Sequence, residues 1–184
     1  MISIDEHRYK ELISIITMLP NFVIHRYITY NYKLLDYSKY AWWFTCIVSI
    51  LYHAHYLKHR KASGTLFKAD IYAQQIFVWS MFLIAPYPMN VSCACMMLPL
   101  LVAISLGLSY DCTTIAGIGH IISIICLSCV GNIKSAAVFA VAFSFAILRV
   151  MYNDPYSGGI FHLLLSYAVY RVFYDADAKW GGLD

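Results

Sequence analysis

The sequence predicts an all-α fold: a polytopic membrane protein, one seven-transmembrane-helix bundle occupying residues 1–184 as a single domain. Two observations predict it. Hydrophobic residues make up 61% of the chain and charged residues only 12%, a balance outside the range of soluble domains. Apolar stretches of the roughly 17–25 residues that a bilayer core of about 30 Å demands then recur along nearly the whole chain, leaving no room for a soluble domain.

The first span is placed at Leu12 to Tyr30. Pro20, Asn21, His25 and Arg26 interrupt it, so an interfacial first helix with six spans is the competing reading. The segment before it carries Asp5, Glu6, Arg8, Lys10 and Glu11 without the apolar core of a secretory signal, which leaves the first helix to direct insertion. The second span is Tyr40 to Tyr56, followed by the KHRK cluster at 58–61. The third, Asp70 to Ala85, is stopped by Pro86 to Asn90. Val91 to Leu108 and Thr114 to Val130 follow, the latter closed by Gly131 and Asn132. Lys134 to Met151 ends at the NDPYSGG run of 153–159, and Gly159 to Phe173 completes the set. Breaks this short make sequential helices antiparallel neighbours.

Lys and Arg divide almost evenly between the two predicted faces, but the KHRK cluster tips the positive-inside rule toward an integral membrane protein with a cytosolic N-terminus. The net charge of +3 belongs to interfacial basic residues and implies no nucleic-acid partner. Cys46, Cys93, Cys95, Cys112, Cys126 and Cys129 fall in or at the ends of apolar spans without matched pairs, as structural thiols do. Trp42, Trp43, Tyr52, Tyr56, Tyr152, Tyr156 and Trp180 read as interfacial belts. Asp154, Asp175, Asp177 and Lys179 read as solvated loop and tail charges.

Polar groups inside a membrane span are costly, so those that converge mark a site. Ser49 and His53 lie one turn apart on the second helix, Asp70 opens the third at the same depth, and His162 begins the seventh from the same side with Ser166 a turn deeper. Imidazoles bind zinc, and a neighbouring carboxylate orients or deprotonates a bound water. The competing reading is that His53 and His162 are helix-end histidines that hydrogen-bond Ser49, Asp70 or backbone and tighten the packing.

The run S-I-L-Y-H at 49–53, the step to Asp70 and the G-I-F-H at 159–162 together resemble the CREST superfamily, which groups progestin and adipoQ receptors, haemolysin-III proteins and alkaline ceramidases. The resemblance implies seven helices and a zinc cofactor, with His53 and His162 as metal ligands, Asp70 as the water-associated carboxylate and Ser49 near the metal. The family's third histidine would fall on Gly158 in one register and on Ser166 in the other. His120, in the fifth helix just after Gly117 and Gly119, is the candidate replacement ligand. Asn21-x3-His25 is similar to a first-helix motif of the receptor branch. The expectation is a zinc-dependent, ceramidase-like hydrolase of lipid amide or ester bonds, with a membrane lipid as partner. A catalytically inactive receptor, lipid-binding or membrane-remodelling relative is the alternative.

Overall fold

The computed structural model describes residues 4–59, 63–128, 130, 133–152 and 154–182. Expectations resting on Arg60, Lys61, Cys129, Gly131, Asn132 and Asn153 lie outside the described residues. Among those described, the chain is all-helical with no strand. The segments are α1 (Ile4–Met18), α2 (Pro20–Tyr27), α3 (Leu35–His59), α4 (Gly64–Ile84), α5 (Met89–Ser109), α6 (Thr113–Ser128), α7 (Ile133–Tyr152) and α8 (Pro155–Trp180).

Helices α1 and α2 form one bent rod. Leu19 between them keeps helical dihedrals, and Pro20, with no N–H to give, opens α2. The turn tightens instead: Leu19 N–H donates to the Ile16 carbonyl at 3.2 Å and Phe22 N–H to that of Leu19 at 3.1 Å. The rods are therefore seven in chain order, as the sequence predicts, but their ends differ from expectation. Ser63 caps α4, its hydroxyl accepting from Leu66 N–H at 3.2 Å, so Asp70 sits in the second turn of that helix and does not open it. Asp154 caps α8 with Pro155 at its first position, so the glycines expected to form a break, Gly158 and Gly159, lie inside the helix. Gly159 is there for close approach: a Cβ at this position would collide with Ile13 of α1.

Helix α8 packs along α7 and α1, α1 along α3, α3 along α4, α4 along α6, and α6 along α7. Six rods thus close a ring, while α5 lies outside it against α4 and α6. Where α5 turns into α6, a Cβ at Gly107 would stand 2.7 Å from the Ala116 amide nitrogen. Short connections do make sequential helices packed neighbours.

The centre holds a run of rings. Trp42 packs on Phe77 at 5.0 Å, Phe77 on Phe173 at 5.9 Å, and Phe173 on Tyr30 at 5.4 Å. At the end remote from His53, α8 is tied down. The Asp177 carboxylate accepts from Tyr32 N–H at 2.8 Å and from the Asn31 amide at 3.2 Å, and Tyr32 Oη donates to the Ile84 carbonyl at 2.7 Å. Arg171 and Ser135 both reach Asp175, at 3.0 and 3.1 Å. Asp175 and Asp177, expected as solvated charges, are tie points, whereas Asp154 stays at the surface as the cap of its own helix. Trp42 and Trp180, expected in interfacial belts, are core residues at 4% and 1% exposure. Tyr152 and Tyr156 are exposed. Cys46, Cys95 and Cys112 carry free thiols.

Polarity is distributed inside-out. Glu11, Asn21, His25, Gln75 and Ser135 are buried, whereas Val23, Leu51, Leu83, Met96, Ile118 and Ile147 are exposed. Helix α5 is long and apolar enough to cross a membrane, and apolar segments of α6 and α7 are shorter.

Two outcomes are expected of this framework. Gly159→Val wedges α1 off α8 and costs about 1–3 kcal/mol, the usual range for overpacking, read by thermal unfolding. The Asp154 carboxyl is held below its ordinary range, first by the Ser157 hydroxyl and also by the Ser157 amide. A depressed carboxylate stabilises the fold above its unfolded-state pKa and loses that contribution as pH falls through the folded value. Wild type should therefore shed a small increment of melting temperature below about pH 4. Asp154→Asn should lack that increment.

Candidate functional site

One face of α3 carries Trp42, Thr45, Cys46, Ser49 and His53 at three- and four-residue steps, and all five are buried. Opposite them α4 brings Asp70 and Gln74, α8 brings His162 and Ser166, and α2 brings Asn21. Together they enclose a cavity of about 360 Å³, walled elsewhere by Tyr52, Phe67, Phe161 and Leu165. Ser49, His53, Asp70 and His162, singled out from the sequence, all line it.

His53 is the best-held of these. Its Nδ1 lies 2.5 Å from Oε2 of Glu11, a carboxylate only 1% exposed. The His162 ring stands edge-on to it, centroids 5.4 Å apart and planes at 89°. Ser49 and Gln74 face the Asp70 carboxyl group. Asp70 Oδ1 is buried without a hydrogen-bond partner among the described residues, an arrangement that a ligand in the cavity would relieve.

The floor of the cavity is a clamp made by Asn21. Its amide donates to Ser166 Oγ at 2.7 Å and to the Met18 carbonyl at 2.9 Å, and its carbonyl oxygen accepts from Trp42 Nε1 at 3.1 Å. Ser166 Oγ in turn donates to the His162 carbonyl at 2.6 Å. Thr45 ties α3 to α4 by donating to the Ala73 carbonyl at 2.8 Å.

Other expected groups go elsewhere. His120 does not line the cavity; its Nδ1 is 2.7 Å from Gln75 Nε2, between α6 and α4. Close approach at Gly119 is made by α5, where a Cβ would meet Ile104 Cγ1 at 2.9 Å, so that glycine draws α6 toward α5. His25 points into the aromatic core, 3.1 Å from Tyr30 Oη and against Phe173. His55 and His59 lie against each other at the end of α3, ring centroids 4.5 Å apart and planes tilted by 36°.

Zinc is the metal the family resemblance implies. Two imidazoles and a carboxylate are donors that a catalytic zinc accepts with water in the fourth place, and a carboxylate on the second nitrogen of His53 is the usual support of a liganding imidazole. In donor chemistry, His53, His162 and Asp70 fit. The three-histidine set does not exist here: Gly158 offers no side chain, and Ser166 is engaged with Asn21 and His162. Among the described residues, no three His, Cys, Asp or Glu side chains converge as a ready-made metal site.

Sequence reasoning missed Glu11, which was read with the charged N-terminal segment. A signal was present: Glu11, Ser14, Met18 and Asn21 recur at three- and four-residue steps and are all buried. Compared with protein-family models, curated proteins and solved structures, the chain has no significant match.

Replacing Asn21 by Ala leaves the buried Trp42 Nε1 without its acceptor and removes the N–H that Ser166 Oγ accepts, while Ser166 keeps its bond to the His162 carbonyl. A loss of about 1–3 kcal/mol is expected, the cost of an unsatisfied buried polar group, measured by chemical denaturation.

Proposed function

We propose that this chain is a polytopic membrane protein, a bundle of seven spans, that hydrolyses an amide or ester bond of a membrane lipid at the cavity between α3, α4 and α8. The observation that carries the reading is the meeting of Ser49, His53, Asp70 and His162 in one cavity whose remaining wall is largely apolar. The membrane placement is supported by the inside-out polarity: Val23, Leu83 and Met96 face outward while Glu11, Asn21 and Gln75 are enclosed. The hydrolase reading is supported by the resemblance of S-I-L-Y-H, Asp70 and G-I-F-H to the CREST pattern.

His53 and His162 would hold a zinc ion, with Asp70 as the carboxylate that acts on its water. Such an ion supplies Lewis acidity and a water nucleophile at neutral pH. The chain does the rest. Tyr52, Phe67, Phe161 and Leu165 pack the acyl portion of the substrate and exclude bulk water. The Asp70 carboxylate accepts a proton from the attacking water and returns it to the leaving nitrogen or oxygen. Ser49, beside Asp70, donates to the carbonyl oxygen as negative charge grows there.

A second reading has its own observation. With Gly158 and Ser166 unable to complete a three-histidine set, the same cavity would serve a catalytically inactive, lipid-binding relative.

Metal content of the detergent-purified protein, followed by assays on lipid amides and esters, separates the two. Near-stoichiometric zinc is expected in wild type and its loss in both His53→Ala and His162→Ala. Asp70→Asn should lower turnover about 10²–10⁴-fold, the scale of general acid–base catalysis. A well-folded wild type that takes up no zinc even when supplied, yet retains bound lipid, supports the second reading and ends the first.

A further inference from the structure

Glu11 has a place in the fold that its sequence context hides. It is a carboxylate at 1% exposure on a helix whose outward residues, Leu12 and Ile16, are exposed and apolar. Burying such a group is costly unless it is paired, and its partner is His53 Nδ1 at 2.5 Å. His53 lines the cavity and Glu11 does not. The carboxylate therefore approaches the ring from behind the cavity wall.

An imidazole presents a different atom to its surroundings depending on which nitrogen carries the hydrogen, and the partner of one nitrogen decides the state of the other. A carboxylate only accepts, so it holds the hydrogen on Nδ1. The Nε2 lone pair is then left for the cavity, which is the form needed to bind a metal or take a proton. We infer that Glu11 is the positioning residue of the site, fixing the ring orientation and the Nδ1–H tautomer of His53. The inference deepens the proposed function and rests on it for the role of Nε2.

The place of Glu11 is set by helix packing. Two residues on, Ile13 occupies the space left open by Gly159 of α8, and Tyr9 stands edge-on to Tyr156, centroids 6.2 Å apart. Helix α8 also carries His162, whose ring meets His53. One helix contact thus registers both the support of His53 and its neighbour in the cavity.

The test is nitrogen NMR on the full chain labelled with ¹⁵N-histidine, with chelator present so that no metal decides the tautomer. The chain has seven histidines, so the His53 signals are assigned by their loss in His53→Gln. Wild type should show the Nδ1–H pattern at His53. Glu11→Gln, which keeps an accepting oxygen, should retain it, and Glu11→Leu should move the hydrogen toward Nε2. If Glu11→Leu fails to fold, Glu11→Asp, one methylene shorter, withdraws the acceptor and should show the same shift. Zinc affinity should fall about 10–100-fold in Glu11→Leu, as when an outer-sphere partner is lost. An Nε2–H pattern in wild type, or no change in a folded Leu or Asp variant, overturns the inference. If the tautomer responds but wild type takes up no zinc, Glu11 keeps its positioning role and the hydrolase reading fails; zinc uptake with an unresponsive tautomer gives the reverse.

Discussion

The interior of this bundle depends on one constraint: polar side chains enclosed between helices are cut off from solvent and must find their partners inside the bundle. Asn21 shows the constraint at its strongest. One amide joins α2 to α3 through Trp42 and to α8 through Ser166. Those bonds fix the height of His162 relative to His53, since Ser166 is itself bonded to the His162 carbonyl one turn away. The cavity is the volume left above the clamp. Glu11 with His53, Thr45 with the Ala73 carbonyl, and Gln75 with His120 repeat the logic at other levels. Each such contact is directional in a way that Leu-on-Ile packing is not, so together they select one register among many of similar apolar area.

Helix number and order were legible because apolar stretches and break residues are local signals. Pro86, Pro20 and the apolar runs act within a few residues of themselves. Helix ends were less legible. Ser63 and Asp154 are caps whose effect reaches three residues forward, and both lengthen a helix beyond its apolar stretch. The glycines at 158 and 159 were misread for a physical reason. Glycine marks a break when the chain must turn and a helix interior when another helix must come close, and at Gly159 only the presence of Ile13 distinguishes the cases.

The site was half legible. Ser49 and His53 share a helix face by spacing alone, and Asp70 and His162 reach the same depth by counting spans. Glu11 escaped because charge near a chain terminus is ordinarily solvated, and its burial follows only from the docking of α1 on α3 and α8. The tail carboxylates Asp175 and Asp177 escaped for the same reason: Arg171 is one turn from Asp175, but Ser135 and Tyr32 are remote in sequence. Partners separated by a whole bundle leave no trace in a local window.

The contacts between the first and last rods carry a topological consequence. Tyr9 meets Tyr156, Ile13 faces Gly159, Asn21 bonds Ser166 and Asn31 reaches Asp177. The pairing advances in step on both sides, so these two segments run parallel along their full length. Helix α5 performs the matching task on the far side of the ring, returning the chain so that α4 and α6 can lie side by side. The odd number of rods leaves Ile4 and Trp180 at opposite ends of the bundle. In a bilayer they would face different aqueous compartments, and a soluble factor that reached one end of the described chain would have no access to the other.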